Sequence, residues 1–225
     1  MSSADQNIYD KLRDRLVGGE FEAGQRLRSD ELKKDYNVSS GTIRELLFRL
    51  SSVGLVDFLE QRGFRVPELS QEVQHDLTQT RIMLECEGVC LSIRNGGVAW
   101  EARLMAAHHE LKHIETHINQ QSFDGSVELL ALWRAAELKF HQTLIEECKS
   151  ELLKEFHENV YHRFRQQLIT TDKQFDHVPK NVEQHQNILE AVLKRDEDLI
   201  RKLIYSHLSR HLTSAPDTTS PINAV

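Results

Sequence analysis

Three histidines and one glutamate occupy positions from which an α-helix would direct their side chains into a protein interior. Glu137 and His141 are four residues apart, so they share one face of a helix. Apolar residues follow His141 and His185 at helical spacing, and they precede His207. Three neutral imidazoles and one carboxylate suit Zn²⁺, with Ni²⁺ and Mn²⁺ as alternatives. The pattern therefore predicts a divalent-metal site formed by three helices.

Other interpretations of the histidines remain open at this stage. A single histidine on an apolar face is more often an ordinary core residue than a metal ligand. A second set, His109, His113 and His117, lies at i, i+4 and i+8 on one helix, but its polar surroundings favour a solvated face. These polar neighbours are Glu110, Lys112, Glu115 and Asn119. His211, four residues after His207, competes for the position of His207.

The charge distribution divides the chain of 225 residues into two parts. Residues 1–67 hold 11 basic and 11 acidic residues, whereas residues 68–225 hold 17 and 24 and thus carry the whole net charge of −7. All 12 histidines lie in the second part. We expect two domains, and the neutral one can still bind DNA if its basic residues gather on one face.

The first part predicts two short helices, a tight turn, a third helix and a hairpin. Residues 7–18 and 30–36 have helical patterns, and Ser29 is expected to cap the second helix. Ser39 is expected to cap a third helix, whose apolar stripe is Ile43, Leu46, Leu47 and Leu50. Short apolar strands at 55–59 and 64–66 flank a turn that contains Gly63. This order is typical of a winged helix-turn-helix.

The second part is predicted to be helical throughout. Residues 68–70 form the predicted linker, residues 71–213 an antiparallel all-α bundle, and residues 214–225 a disordered tail. The expected helices span residues 71–95, 100–119, 124–148, 150–172, 180–195 and 196–213. The fold class is therefore mainly α, with a small β-hairpin wing. Cys86 and Cys90 are expected in the core, and the three cysteines form no C-x-x-C pair, which favours a reducing compartment.

Several motifs of both parts resemble a known family of regulators. Residues 24–27, 31–32, 38–47, 54–56 and 62–66 resemble the GntR-superfamily DNA-binding domain. The second part resembles the FCD effector domain of the FadR-type branch. The pieces that carry this likeness are Arg81-x-x-Leu84-Glu85, Phe140-His141, Glu183-x-His185-x-x-Ile188-Leu189 and His207. The resemblance spans residue 8 to about residue 212.

The resemblance implies a metal site and an effector pocket in the bundle. The implied ligands are a carboxylate four residues before the Phe-His motif, that histidine and two more, which correspond to Glu137, His141, His185 and His207. The usual carboxylate in the family is aspartate, and Glu137 is one methylene longer. The resemblance also places Arg81 near the effector, with Arg163 and Arg165 as weaker candidates. A structural pair of Arg81 with Glu85 is the alternative.

The helix after the turn should enter the DNA major groove. Its first residues, Ser39, Ser40, Thr42 and Arg44, are the expected contacts, and Arg44 could bind a guanine or a phosphate. The family often has an arginine where Ser40 stands and another near Asp30, and this chain lacks both. Weight therefore shifts to the remaining candidates, which are Arg28, Lys33, Arg62, Gly63 and Arg65. Arg49, near the end of the helix, is expected to make no DNA contact.

Taken together, these patterns predict a cytoplasmic transcription regulator, and the family resemblance implies that it represses transcription. The expected partners are a double-stranded DNA operator, a small organic acid bound at or near the metal, and a second copy of the chain in a homodimer. No apolar run is long enough for a membrane span, and no export signal is evident. A metal-ion sensor is the first alternative. A metal-dependent hydrolase is a weaker one, because the chain carries no nucleophile elbow, phosphate loop or H-E-x-x-H motif.

Overall fold

The computed structural model describes residues 3–120, 127–168 and 178–212. Most of them are α-helical, as predicted, and a small three-stranded sheet is present where a two-stranded hairpin was expected. The predicted disordered tail, the predicted helix start at residue 124 and the predicted helix end at residue 172 lie outside the described residues.

The N-terminal part is a winged helix-turn-helix. It contains helices α1 (Ser3–Gly18), α2 (Ser29–Tyr36) and α3 (Ser40–Ser52) and strands β1 (Arg26–Leu27), β2 (Asp57–Leu59) and β3 (Gly63–Arg65). The predicted stripe of α3 is buried against α1 and the sheet, with Ile43 and Leu47 fully inaccessible. Ser39 caps α3 as predicted, because its Oγ accepts from the Thr42 N–H at 3.0 Å. α2 differs from the prediction, because it begins at Ser29 and not after it. Arg28 holds the N-cap position, and its side chain makes no capping hydrogen bond to the backbone of the first turn.

The sheet has the strand order β1-β3-β2, with both pairs antiparallel. Leu59 pairs with Gly63 across the turn, so the first predicted strand is shortened from residues 55–59 to 57–59, and the second begins and ends one residue earlier than predicted. Gln61 and Gly63 both have positive φ angles, +63° and +76°. Glycine adopts this conformation readily, whereas Gln61 does so at some cost. The prediction missed β1 because two residues are too few to show an alternating pattern.

The C-terminal part is a helical bundle. Its helices are α4 (Gln71–Asn95), α5 (Val98–Gln120), α6 (Val127–Leu144), α7 (Glu151–Gln167), α8 (Val178–Leu193) and α9 (Glu197–Leu208), followed by a 3₁₀ turn (Ser209–His211). Ser70, Ser150 and Asp196 cap α4, α7 and α9 with side-chain oxygens. α6 ends four residues earlier than predicted, because bonds of the i→i+3 type at residues 142–148 replace the helical ladder.

The bundle packs α4 against α7, α5 against α6 and α8, and α9 against α4 and α8. Its core includes Trp100, Trp133 and Phe140, each nearly or fully inaccessible. Cys86 and Cys90 are buried, as predicted. Among the described residues, the helices are all too short or too polar to span a membrane.

Helix α7 connects the two parts through its last turn. The Gln166 Nε2 donates to the Leu55 carbonyl at 3.1 Å, just before the wing. The Gln167 Oε1 accepts from the Ser70 N–H at 2.8 Å, and its Nε2 donates to the Glu68 carbonyl at 3.2 Å. The predicted linker is therefore hydrogen-bonded to the bundle.

Candidate metal centre and DNA-binding surface

The bundle brings the four predicted metal ligands together. Glu137 and His141 come from the buried face of α6, His185 comes from α8, and His207 comes from α9. One nitrogen or oxygen atom of each residue lies within 4.8 Å of every other, and all four side chains are buried. These four residues are called the histidine cluster below. Their approach follows from the helical spacing, because the apolar neighbours of each ligand turn the same face inward.

Each histidine of the cluster is oriented by a partner outside it. The Nδ1 of His141 lies 2.8 Å from Glu85 Oε2, that of His185 lies 3.3 Å from Glu115 Oε2, and that of His207 lies 3.0 Å from Gln184 Oε1. Oxygen acceptors at Nδ1 fix the proton on that nitrogen and leave the Nε2 lone pair for a metal. This is the usual outer arrangement around metal-binding histidines.

The Nε2 atoms of His185 and His207 face each other at 3.3 Å. The same atom of Gln184 accepts a hydrogen bond from Arg210, which identifies it as the amide oxygen. An amide oxygen can only accept, so the His207 Nδ1 beside it must carry the proton. Burial and the neighbouring His185 hold the pKa of His207 well below its ordinary value, so its ring is neutral. Two facing lone pairs repel each other unless a proton or a metal cation lies between them. Among residues 3–120, 127–168 and 178–212, the His141 Nε2 has no hydrogen-bond partner. A single proton between His185 and His207 would leave this nitrogen without one. This donor set therefore fits a cation.

Glu137 is held by the residues behind it. One of its oxygens accepts from the Tyr161 hydroxyl and from Arg165, and the other lies 3.5 Å from Arg81 and 3.4 Å from the His141 Nε2. Burial opposes its ionisation, yet Arg165 and Arg81 hold the pKa of the Glu137 carboxyl well below its ordinary value. Burial raises the pKa of Tyr161, so its hydroxyl keeps the proton that it donates. Glu137 is thus an ionised carboxylate with one oxygen turned toward the histidines.

Glu85 organises a second layer of charge. It accepts from Arg81 at 2.6 Å, His141 at 2.8 Å and His157 at 3.0 Å. Burial counters the charging of both partners, but the Glu85 carboxylate raises the pKa of His141, while Arg81 holds the pKa of Glu85 well below its ordinary value. A more basic imidazole is a stronger metal ligand.

The three arginines predicted to bind an effector occupy different places. Arg81 and Arg165 are both buried beside Glu137, and Arg81 forms the pair with Glu85 that was its structural alternative. Arg163 lies apart from them, beside Gly54 of the DNA-binding domain. A Cβ atom added at Gly54 would lie 2.9 Å from the Nε and 3.0 Å from the Cζ of Arg163. The structure thus brings two of the three to the cluster.

The competing histidines lie elsewhere. His109, His113 and His117 are exposed on α5, as their polar neighbours predicted. His211 is buried against the Phe164 ring, at 5.2 Å between centroids, while the cluster contains His207.

The prediction that the polar neighbours of the α5 histidines are solvated was wrong for one residue. Glu115 is fully buried and accepts from both His185 and Trp133. Leu111 and Ile118 are both buried on the same face of α5, and this spacing is the signal that could have identified Glu115 as an inward residue. Asn181, one turn before His185, also escaped notice. It is 1% exposed, and within the described part of the chain neither polar atom of its amide has a hydrogen-bond partner.

The residues predicted to read DNA lie at the start of α3. Ser39 and Arg44 are exposed there, and Thr42 is partly exposed. The Ser40 hydroxyl donates to Asp30 Oδ1 at 2.6 Å, so it links α3 to α2. The Arg49 guanidinium lies 4.6 Å from the centre of the Tyr9 ring of α1. Arg49 thus packs against α1, separately from the residues predicted to contact DNA.

The remaining DNA-binding candidates surround α3. Arg28 pairs with Glu31 at 3.0 Å, and Lys33 pairs with Asp30 at 3.3 Å. In the wing, Arg62 is exposed, whereas the Arg65 guanidinium donates to the Gly24 carbonyl at 3.0 Å. Gly63 has open space beside its Cα. Arg44 and Arg62 thus lie on the exposed parts of the recognition helix and the wing.

A winged helix-turn-helix joined to a helical bundle with a buried polar cluster is the architecture of a two-domain transcription regulator. Residues 4–66 match the family model of bacterial regulatory proteins of the gntR family, and residues 76–210 match the FCD domain. The chain therefore belongs to the GntR family of DNA-binding transcription regulators and carries an FCD domain. The family and its curated relatives are regulators and not enzymes, which excludes the hydrolase alternative.

Curated relatives extend over most of the chain. A protein described as the uncharacterized HTH-type transcriptional regulator BphR of Paraburkholderia xenovorans (strain LB400) is 32% identical over 91% of this chain and 82% of its own length. The HTH-type transcriptional repressor GlaR of Escherichia coli (strain K12) is 29% identical over 89% of this chain and 90% of its own. The HTH-type transcriptional repressor RspR of the same organism is 27% identical over 90% and 85%.

Solved structures show the same fold. E. coli McbR/YncC superposes with a TM-score of 0.79 at 20% identity, covering 94% of this chain and 96% of that chain. A GntR regulator from Rhodococcus sp. RHA1 gives a TM-score of 0.71 at 21% identity, covering 93% and 95%. At these identities the likeness concerns the fold alone.

Proposed function

We propose that this GntR-family regulator is a repressor whose affinity for its operator is controlled by a small carboxylate bound at or near a divalent metal ion in the histidine cluster. The facing Nε2 atoms of His185 and His207, each with its Nδ1 held by an outer acceptor, are the observation that carries this proposal. Zn²⁺ suits three imidazoles and one carboxylate, with Ni²⁺ and Mn²⁺ as alternatives. The ion would supply a positive charge for the effector's carboxylate. The relatives GlaR and RspR are both described as repressors, which supports repression as the mode of regulation.

Helix α7 offers a route from the cluster to the DNA-binding domain. Tyr161 and Arg165 of α7 hold Glu137, and the next two residues, Gln166 and Gln167, bond to Leu55 and to the linker. A ligand that prefers one position of Glu137 would therefore bias the position of α7, and with it the DNA-binding domain. Arg81 and Arg165 already contact Glu137. We expect these two charged groups to shift when the carboxylate of the effector approaches.

We further propose that the regulator acts as a cytoplasmic homodimer on a roughly palindromic operator. Helices α4 and α7 pack together and expose Met83, Leu152 and Phe156, each more than half accessible. Leu84, next to Met83, packs against the cluster that contains Val160, one turn from Phe156. This outer apolar face of α4 and α7 is a candidate for the subunit contact.

A thermal-shift screen of small carboxylic acids tests the effector proposal. It would compare Zn²⁺-loaded protein with chelator-treated protein, because a ligand that binds the native state raises its melting temperature by mass action. We expect one acid to stabilise only the metal-loaded sample, and that response to be lost in His185→Gln and kept in the exposed control His109→Gln. A melting temperature and DNA affinity that respond to metal alone, with no acid active, would instead identify a metal-ion sensor. Equal curves with and without metal would reject the metal site.

A further inference from the structure

A large cleft separates helix α1 of the DNA-binding domain from helices α6 and α7 of the bundle. Its volume is about 830 Å³, within the range of small-molecule sites, and domain interfaces are common places for such sites. Val17, Gly18 and Gly19 line it from the DNA-binding side, and Leu130 and Arg134 line it from the bundle. A side chain at Gly18 would reach 3.7 Å from Arg134 Nη1, which shows how closely the two walls approach.

One wall of the cleft is a face of α6 other than the one that carries Glu137 and His141. Ala131, Ala135 and Leu138 recur there at helical spacing, so they form a continuous apolar strip. Ala131 and Ala135 are exposed, and their small side chains leave the wall open. The apolar strip can accommodate an aromatic or aliphatic body without rearrangement of the bundle.

The polar lining of the cleft is mainly basic. Five basic side chains and two acidic ones line it, in addition to His162. The basic residues are Arg13, Arg15, Arg134, Lys139 and Arg165, and the acidic ones are Asp14 and Glu20. Four of the basic side chains also pair with carboxylates outside the lining, Arg13 with Asp10, Arg15 with Asp35, Lys139 with Glu110 and Arg165 with Glu137, so an anionic ligand would compete with these ion pairs.

His162 supplies a separate indication of a ligand. It is 6% exposed and lines the cleft, yet neither of its ring nitrogens has a hydrogen-bond partner among the residues that the structure describes. Its nearest acidic oxygen, Glu158 Oε1, lies 3.7 Å from Nε2, beyond hydrogen-bond distance. A buried polar group without a partner is costly unless a ligand or a water satisfies it.

We propose that this cleft is a second ligand site, distinct from the histidine cluster, for an amphipathic organic anion. Its apolar body would lie on the alanine strip of α6, and its anionic group would bind at Arg134 and His162. Tyr161 and Arg165 stand between the two sites, because both line the cleft and both hold Glu137. An occupant would touch both domains at once and so restrict the position of the DNA-binding domain relative to the bundle.

Two fluorescent probes with the same kind of aromatic body test this site on the full chain. The first is the anionic 1-anilinonaphthalene-8-sulfonate, and the second is the uncharged N-phenyl-1-naphthylamine. We expect the anionic probe to bind saturably, with one site per chain, and more tightly than the neutral one. The same result is expected for chelator-treated protein and for His185→Gln, so this test does not depend on the metal proposal.

Substitutions within the strip locate the probe. Ala135→Trp and Ala131→Trp fill the cleft and should each weaken binding of the anionic probe by about tenfold or more, which corresponds to about 1.4 kcal/mol. The control Ala106→Trp, on an exposed part of α5, should leave binding unchanged. Arg134→Met should reduce the preference for the anionic probe over the neutral one. Circular dichroism melting identifies which of the two filling variants is folded and usable.

Two outcomes would overturn the proposal. Unchanged probe binding in a folded Ala135→Trp or Ala131→Trp variant would place the probe elsewhere. A change of molar mass in light scattering for those variants would show that a second copy of the chain occupies the cleft.

Discussion

The Nε2 atoms of His185 and His207 lie 3.3 Å apart in the interior of the bundle, and each ring is oriented by an acceptor at its Nδ1. Two histidines on separate helices reach this distance only because α8 and α9 pack together. Such an approach is unfavourable unless a proton or a cation lies between the two nitrogens, which supports the proposed metal site.

Glu85→Gln should weaken metal binding without removing a ligand. The amide can still accept from His141, but it carries no charge, so the imidazole becomes less basic and Arg81 loses its partner. Loss of such an outer partner typically lowers metal affinity by about 10–100-fold. A competition titration with a chromogenic chelator measures the change. Glu87→Gln, on the exposed side of the same helix, is the control, and equal metal affinity of the two variants would refute the role of Glu85.

Arg44→Ala should lower the affinity for a specific duplex by about 1–3 kcal/mol if the guanidinium reads a base. A duplex chosen by in vitro selection with the wild-type protein supplies the target, and fluorescence anisotropy measures binding. Arg49→Ala is the matched control, because Arg49 packs over Tyr9 on the same helix. Unchanged affinity in Arg44→Ala would remove Arg44 from the reading surface.

Phe156→Glu should shift the protein from dimer toward monomer. The substitution places a charge in the apolar outer face of α4 and α7, where burial of an unpaired carboxylate would be costly. Light scattering across a concentration series measures the molar mass. Met105→Glu, at a similarly exposed position on α5, should keep the mass of the wild-type protein. A dimer that persists unchanged in Phe156→Glu would place the subunit contact on another surface.

Asn181→Leu should raise the free energy of unfolding by about 1 kcal/mol, because an unsatisfied buried amide is replaced by an apolar group of similar size. Urea denaturation of the effector-free protein measures the change. Asn187→Leu, on the exposed side of the same helix, should alter stability little. A clear loss of stability in Asn181→Leu would show that the amide is satisfied in solution.

The inner ligands of the cluster could be predicted, whereas most of their outer partners could not. Glu137 and the three histidines each have apolar neighbours at helical spacing, a signal that survives in a single sequence. Glu115 has charged and polar neighbours in sequence, and its burial depends on the contact of α5 with α8. Gln184 likewise orients His207 only because α8 packs against α9. Local spacing can mark such a residue as inward, as Leu111 and Ile118 do for Glu115, but tertiary packing decides which histidine it orients.

The fold likewise has features that the sequence predicted and features that it did not. The winged helix was evident from the order of its elements, and the Ser39 cap followed from its position before the stripe of α3. Strand β1 was missed because its two residues are defined by pairing with Phe64 and Arg65. The hydrogen bonds between Gln167 and the linker join residues almost one hundred positions apart, and no local pattern predicts them.

The most direct test of the central claim is the metal content of the purified chain after incubation with Zn²⁺ and removal of the excess. Inductively coupled plasma mass spectrometry should find one ion per chain in the wild-type protein and in the exposed control His109→Ala. It should find almost none in the double variant His185→Ala/His207→Ala, whose melting temperature should no longer respond to Zn²⁺. A folded wild-type protein without bound metal, or a double variant that retains one ion per chain, would contradict the account.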